Sequence, residues 1–177
     1  MRNPRGEKEM SEIRIYVACL AAYNSGVLHG QWIDATKGED GIWNDIKAML
    51  KASPEEDAEE WAIHDYEGFE GVQISEYESF KDVAEYAEFI EEHGALGGLL
   101  IDHCGDIEAA KTALKDHYRG VYESMSDFAE QLTDETTTVP ENLSFYIDYE
   151  KMGRDLEMND VFTLETAHDE VHVFWSH

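Results

Sequence analysis

The segment from Ser79 to Gly94 constrains this chain more tightly than any other. Phe80, Val83, Ala84, Ala87 and Ile90 recur at three- and four-residue spacing, which predicts one apolar face of a helix. Ser79 with Asp82 three residues on reads as a capping box in which Asp replaces the usual Glu, and Gly94 supplies the stop. Around the other side run Glu78, Asp82, Glu85, Glu88 and Glu92, with only Lys81 nearby to offset them. At about 1.5 Å rise per residue, carboxylates three or four positions apart stand roughly 5 Å apart along the axis. Like charges at that spacing cost a helix roughly 0.2–0.5 kcal/mol per pair. Such a helix persists only where its apolar side is buried and its acid side is left in water. A surface meant merely for solubility would interleave lysines, so the acid face itself reads as functional.

The same imbalance runs through the whole chain. Forty Asp and Glu stand against thirteen Lys and Arg, a net charge of −27 at pH 7. Duplex DNA carries one charge per roughly 1.7 Å of axis. A compact chain of this length has a radius of gyration of roughly 16 Å and spans about 40 Å. Over that length DNA carries about 24 phosphates. The chain therefore approaches DNA in charge per unit length, which argues against nucleic acid as a direct partner. Repulsion of this size disfavours compactness, so an elongated chain of small domains is expected. The 42% hydrophobic and 11% aromatic content still specifies a folded protein. Halophilic adaptation fits poorly, because Glu outnumbers Asp and large aliphatic and aromatic residues persist. Calcium buffering lacks its D-x-[DN]-x-[DN]-G loop.

Taken in order, the chain predicts an α+β fold. Residues 1–11 have no periodicity and read as a flexible lead-in. An N-terminal domain of sheet plus helix is expected over 12–75. It contains a strand at Ile13 to Leu20, a turn at Asn24-Ser25-Gly26 and a partner strand from Val27 to Ala35. A helix from Gly41 to Leu50, a strand from Trp61 to Tyr66 and an acidic loop from Glu67 to Gly71 complete it. A helical middle domain over 76–117 holds the acid-striped helix, a short apolar helix or turn from Gly94 to Cys104, and a helix from Asp106 to Tyr118. The C-terminal domain, 118–177, combines sheet and helices. Its first stretch ends one helix, turns at Gly120 and starts another at Ser124 or Ser126. Met125, Phe128, Ala129 and Leu132 face inward there, and Glu123, Asp127, Glu130, Asp134 and Glu135 face out. A polar linker from Thr133 to Pro140, a helix from Asn142 to Leu156 and a hairpin of Val161 to Thr166 with Glu170 to Trp175 follow.

No site for chemistry stands out. His64-Asp65 invites an acid/base reading, but no second His lies at ligand spacing. His93, Asp102, His103 and Cys104 surround an apolar Gly-rich segment in no metal-binding order, and Gly94-Ala95-Leu96-Gly97-Gly98 lacks the Lys-Ser/Thr of a phosphate loop. Cys19 and Cys104 form no framework, which suits a reducing compartment. No leader-like segment and no run of about 18 apolar residues occurs, so a cytoplasmic protein with no membrane partner is expected. No catalytic residue, metal or cofactor is assigned.

Several stretches carry a resemblance. They are Ile15-Tyr16-Val17-Ala18-Cys19-Leu20-Ala21-Ala22-Tyr23-Asn24, His29-Gly30-Gln31-Trp32-Ile33-Asp34 and Glu60-Trp61-Ala62-Ile63-His64-Asp65-Tyr66-Glu67-Gly68-Phe69. Further on stand Tyr118-Arg119-Gly120-Val121-Tyr122-Glu123-Ser124 with Asp127-Phe128-Ala129-Glu130, then Tyr146-Ile147-Asp148-Tyr149-Glu150, Arg154-Asp155-Leu156 and Asp160-Val161-Phe162-Thr163. In order and content the chain resembles the ArdA antirestriction proteins from Ile13 to Trp175, although Gly153 stands where that family more often has Ala. The resemblance implies a DNA mimic that occupies the DNA groove of type I restriction-modification enzymes. It also implies a homodimer joined through C-terminal domains and an antirestriction motif at Tyr118 to Leu132. The acids expected to stand in for phosphates are Glu67, Glu70, Glu78, Asp82, Glu85, Glu88, Glu92, Glu123, Asp127, Glu130, Asp134, Glu135, Asp155 and Glu157. An acidic adaptor or chaperone for basic, nucleic-acid-binding proteins is the alternative.

Overall fold

The computed structural model describes residues 12–177, so the expected lead-in over 1–11 lies outside the described residues. The fold is α+β, and it gathers into two compact units, one reaching His103 and the other running from Cys104 to His177.

In the first unit β1 (Arg14–Cys19) lies between β2 (Gly30–Asp34) and β3 (Trp61–Glu67), antiparallel to both. Ile15 sits opposite Ile33 on one side and Tyr66 on the other. The connection from β1 to β2 differs from the expected hairpin. Leu20–Asn24 forms a helical turn, α1, closed by Ser25 N–H bonds to the Ala21 and Ala22 carbonyls, and Gly26 ends it at φ +81°. Two consecutive alanines favour that turn, and the partner strand begins only at Gly30.

Helix α2 (Gly38–Lys51) buries Ile42, Ile46 and Met49 beside Ile15, Val17 and Ile33 of the sheet. Truncating a fully buried side chain such as Ile46 to Ala would cost about 2–5 kcal/mol. Helix α3 (Phe80–His93) packs on α2. Phe80 lies 4.8 Å from Trp43 and 4.3 Å from Trp61 between ring centroids. Aromatic pairs of this kind add roughly 0.5–1.5 kcal/mol each beyond their burial. Helix α4 (Ala95–Cys104) follows directly. A Cβ on Gly98 would stand 2.5 Å from the Glu70 Cβ and 2.6 Å from its carbonyl oxygen. The glycine run thus serves close packing.

The second unit opens with α5 (Ile107–Thr112), capped by Asp106, which accepts from the Glu108 and Ala109 N–H groups. A π-helical turn over Ala113–His117 continues it. Tyr118–Tyr122 then forms strand β4, where the sequence suggested a helix end and a turn at Gly120. The partner that makes it a strand is β6 (Glu170–Trp175), about fifty positions along the chain. Helix α6 (Met125–Thr136) starts at its Ser124 cap. It runs into the expected linker, where the Thr133 and Thr136 hydroxyls donate to the Ala129 and Leu132 carbonyls.

The helix expected over Asn142–Leu156 is divided. A 3-10 segment, Glu141–Tyr146, precedes α7 (Tyr149–Asn159), which Asp148 caps by accepting from the Lys151 N–H. The closing hairpin of β5 (Val161–Ala167) and β6 turns at Asp169, φ +59°. Strand order is β4-β6-β5, all antiparallel. Phe128 of α6 packs into the core with Val161, Val171 and Val173, flanked by Met125, Leu132, Leu156 and Trp175. Helices α6 and α7 touch closely: a Cβ on Gly153 would fall 2.8 Å from the Met125 carbonyl.

Candidate functional site

Among the described residues no polar or charged side chain is buried, so every described carboxylate reaches the surface. On α3 the Ser79 hydroxyl accepts from the Asp82 N–H at 3.1 Å, as the capping pattern required. Phe80, Val83, Ala87, Phe89 and Ile90 are buried, which turns the rest of the helix outward. Asp82 and Glu85 are half-buried at the flank, and Glu88, Glu91 and Glu92 are exposed.

All of these acids but Asp82 line one feature. A cleft of about 690 Å³ runs between the outer face of α3 and the corner at Thr36 to Glu39. Glu39, Glu85, Glu88, Glu91 and Glu92 line it, with Lys81 the one cation among the described residues on its walls. Glu91 and Glu39 were missed in the sequence. Glu91 stands three positions from Glu88 and could have been found by helical spacing. Glu39 comes from the start of α2 and carried no signal. Lys37, close by in sequence, is turned to Asp45 at 2.8 Å.

The remaining expected acids of the first unit are less free. Glu67 pairs with Arg14, whose guanidinium carbon also lies 4.5 Å over the Trp32 ring. Glu70 holds the left-handed conformation at φ +50° against Gly98. Glu78 accepts from the Ser75 hydroxyl.

In the second unit Glu123, Asp127, Glu130 and Asp134 are exposed. Glu130 and Asp134 lie near Tyr149 of α7, whose phenol is pushed up by desolvation and further by those two charges. Glu135 is bound. It accepts from Gln131 Nε2 and from Arg119 Nη2, each at 2.9 Å, and these bonds hold its carboxyl below the usual range. Asp155 is exposed on α7, and Glu157 accepts from Thr163 Oγ1 at 3.0 Å.

The residues considered for chemistry are dispersed. His64 is exposed and meets Tyr23 edge-on at 5.0 Å, and the Asp65 carboxylate accepts from the Tyr66 N–H. His93 Nε2 lies 3.7 Å from Glu92. Cys19 is buried with its sulfur 3.4 Å from Ser53 Oγ, and burial pushes the Cys104 thiol up. Among the described residues, no three His, Cys, Asp or Glu side chains converge to hold a metal ion. No helix among them is long and apolar enough to cross a membrane.

Two acid-bearing helix faces thus stand out, α3 with its cleft in the first unit and α6 in the second, each carried on the apolar core of its own unit. No curated protein matches the chain. A family model described as "Antirestriction protein (ArdA)" matches residues 15–170.

Proposed function

Because the chain belongs to the ArdA antirestriction family, whose members inhibit type I restriction-modification enzymes, we propose that it acts by mimicking DNA. The acid faces of α3 and α6 occupy the groove in which such an enzyme holds its duplex. That groove presents Lys and Arg that neutralise phosphates and release their counterions. Carboxylates at similar spacing meet the same side chains.

The single observation that carries this reading is the acid density of α3. Asp82, Glu85, Glu88, Glu91 and Glu92 fall along about 15 Å of helix axis. That is a mean step of roughly 3.8 Å between charges, against roughly 3.4 Å for one strand of DNA. The three unpaired acids of α6, Asp127, Glu130 and Asp134, stand a mean step of roughly 5 Å apart. A folded helix presents them already ordered, so little entropy is lost on binding. No base edges are offered, so inhibition depends little on the enzyme's recognition sequence. We place the protein in the cytoplasm as a homodimer joined through its C-terminal part, with Glu67, Glu70, Glu78, Glu123, Asp155 and Glu157 extending the acidic surface.

The test is displacement. The protein is titrated into a type I restriction-modification enzyme holding labelled duplex, at low and at high salt. Release near stoichiometric amounts at low salt, weakening steeply as salt rises, is the expected result. Retention of the duplex under a large excess would remove the mimic reading and leave the acidic adaptor in its place.

A further inference from the structure

The segment Tyr118–Ser124 opens the antirestriction motif of the resemblance, Tyr118 to Leu132, yet of its side chains only those of Val121 and Glu123 are exposed. Residues four apart on a regular strand point to one face. Here they do not. The pairing of β4 with β6 slips between Tyr118 and Gly120, so Tyr118 lies opposite Phe174 and Tyr122 opposite Val171. One inserted residue sends the two tyrosines to opposite faces. Tyr118 packs 4.9 Å from Phe174, with its hydroxyl 2.7 Å from His172 Nδ1. Tyr122 meets Phe128 edge-on at 5.1 Å on the core side and donates to the Arg119 carbonyl.

Gly120 takes φ +115°, a conformation that favours glycine, and the extra residue beside it is Arg119. The Arg119 guanidinium lies 5.8 Å over the Trp175 ring and bonds Glu135 in the last turn of α6. Its Nε is enclosed without a hydrogen-bond partner, so the charge relies on Glu135 for compensation. At the other end of α6 the Ser124 hydroxyl accepts from the Asp127 N–H at 3.2 Å. Tyr118–Ser124 therefore grips α6 at its first and last turns.

We propose that Tyr118–Ser124 is a positioning device, with Arg119 as its clamp, that fixes α6 so that Asp127, Glu130 and Asp134 face a partner in set register. Glu135 is the counter-ion of the clamp and not a phosphate stand-in. This rests on the reading of the α6 acids as a contact face.

The charge ledger makes the test sharp. Arg119→Ala takes the net charge from −27 to −28, so a mimic governed by total charge would inhibit as well or better. The clamp predicts the reverse: inhibition about tenfold weaker, the loss of three exposed pairs. It also predicts a shallower dependence of inhibition on salt, which a lower folded fraction alone would not produce. Arg119→Lys should restore inhibition to within about twofold of the parent, since an ammonium can still reach a single carboxylate oxygen. Should Arg119→Ala fail to fold, Glu135→Gln and Glu130→Gln replace it. Each removes one acid, and the clamp requires the greater loss from Glu135→Gln. Equal losses, or undiminished inhibition by Arg119→Ala, would overturn the proposal. Amide exchange over residues 132–136 reads the clamp apart from inhibition. It should quicken in Arg119→Ala and Glu135→Gln but not in Glu130→Gln, and no such difference would also overturn it. If the parent protein failed to displace DNA, the mimic reading alone would fall, and the exchange rates would still decide the clamp.

Discussion

Replacing Glu85, Glu88, Glu91 and Glu92 together by Gln strips the outer wall of the α3 cleft and leaves its core contacts in place. Exposed ion pairs are worth about 0–1 kcal/mol each. At about 0.5 kcal/mol apiece, four lost pairs weaken binding by about 2 kcal/mol, or about 30-fold. Glu85→Gln alone should cost only about twofold by the same reckoning. Stability moves the other way. The like-charge neighbours Asp82/Glu85, Glu85/Glu88, Glu88/Glu91 and Glu88/Glu92 disappear together with one attractive neighbour, Lys81/Glu85, a net gain to the helix of about 0.6–1.5 kcal/mol. In a unit of this size each kcal/mol raises the melting temperature by roughly 4–8 °C. The assay is inhibition of DNA cleavage by a type I enzyme at fixed salt, beside a thermal melt of each variant. Weaker inhibition from a more heat-stable protein cannot be laid to misfolding. Abolition by Glu85→Gln alone would refute distributed charge, and an unaltered fourfold variant would remove α3 from the contact face.

Two further outcomes follow from the second unit. His172 is held between the Tyr118 and Thr166 hydroxyls, and burial lowers its pKa, against a smaller opposing effect of Glu170. Because the folded value lies below the unfolded one, its share of stability is full above pH ~6.5 and is lost as pH falls through the folded value. Melting temperatures of the parent and His172→Gln at pH 7.5 and pH 5.5 should show the larger acid-induced drop in the parent, and equal drops would contradict this. Gly153→Ala gains about 1 kcal/mol of helix propensity but drives a methyl against the Met125 backbone, 2.8 Å away. Overpacking costs about 1–3 kcal/mol and backbone cannot step aside, so the melting temperature should fall; a rise would mean that α6 and α7 do not meet there.

The elements legible in the sequence were those whose stabilising contacts repeat locally. Ser79, the apolar stripe and Gly94 bounded α3 within its own residues, and alternation marked β5 and β6. Strand β4 was hidden because Gly120 carries the ordinary sign of a turn, while the residues that make it a bulge lie across the sheet at Val173 and Phe174. The break before α7 was hidden because Asp148 reads equally as a helix-face acid and as a cap. The acids divide the same way. Their helical faces could be read from spacing, but whether each is free could not. Glu67 and Glu135 look like their neighbours in sequence, and their arginine partners lie 53 and 16 positions away.

That no carboxylate among the described residues is buried bears on how such a protein can change over generations. Where a charge sits in a core, its replacement must be matched by a second change beside it. Here an acid can be lost from one helix turn and regained on the next with both intermediates folded. Selection on inhibition would act on the density of the α3 acid field, leaving the position of each of its members to drift. Lineages facing different enzymes could then redraw the surface while the aromatic and glycine contacts beneath it stay as they are.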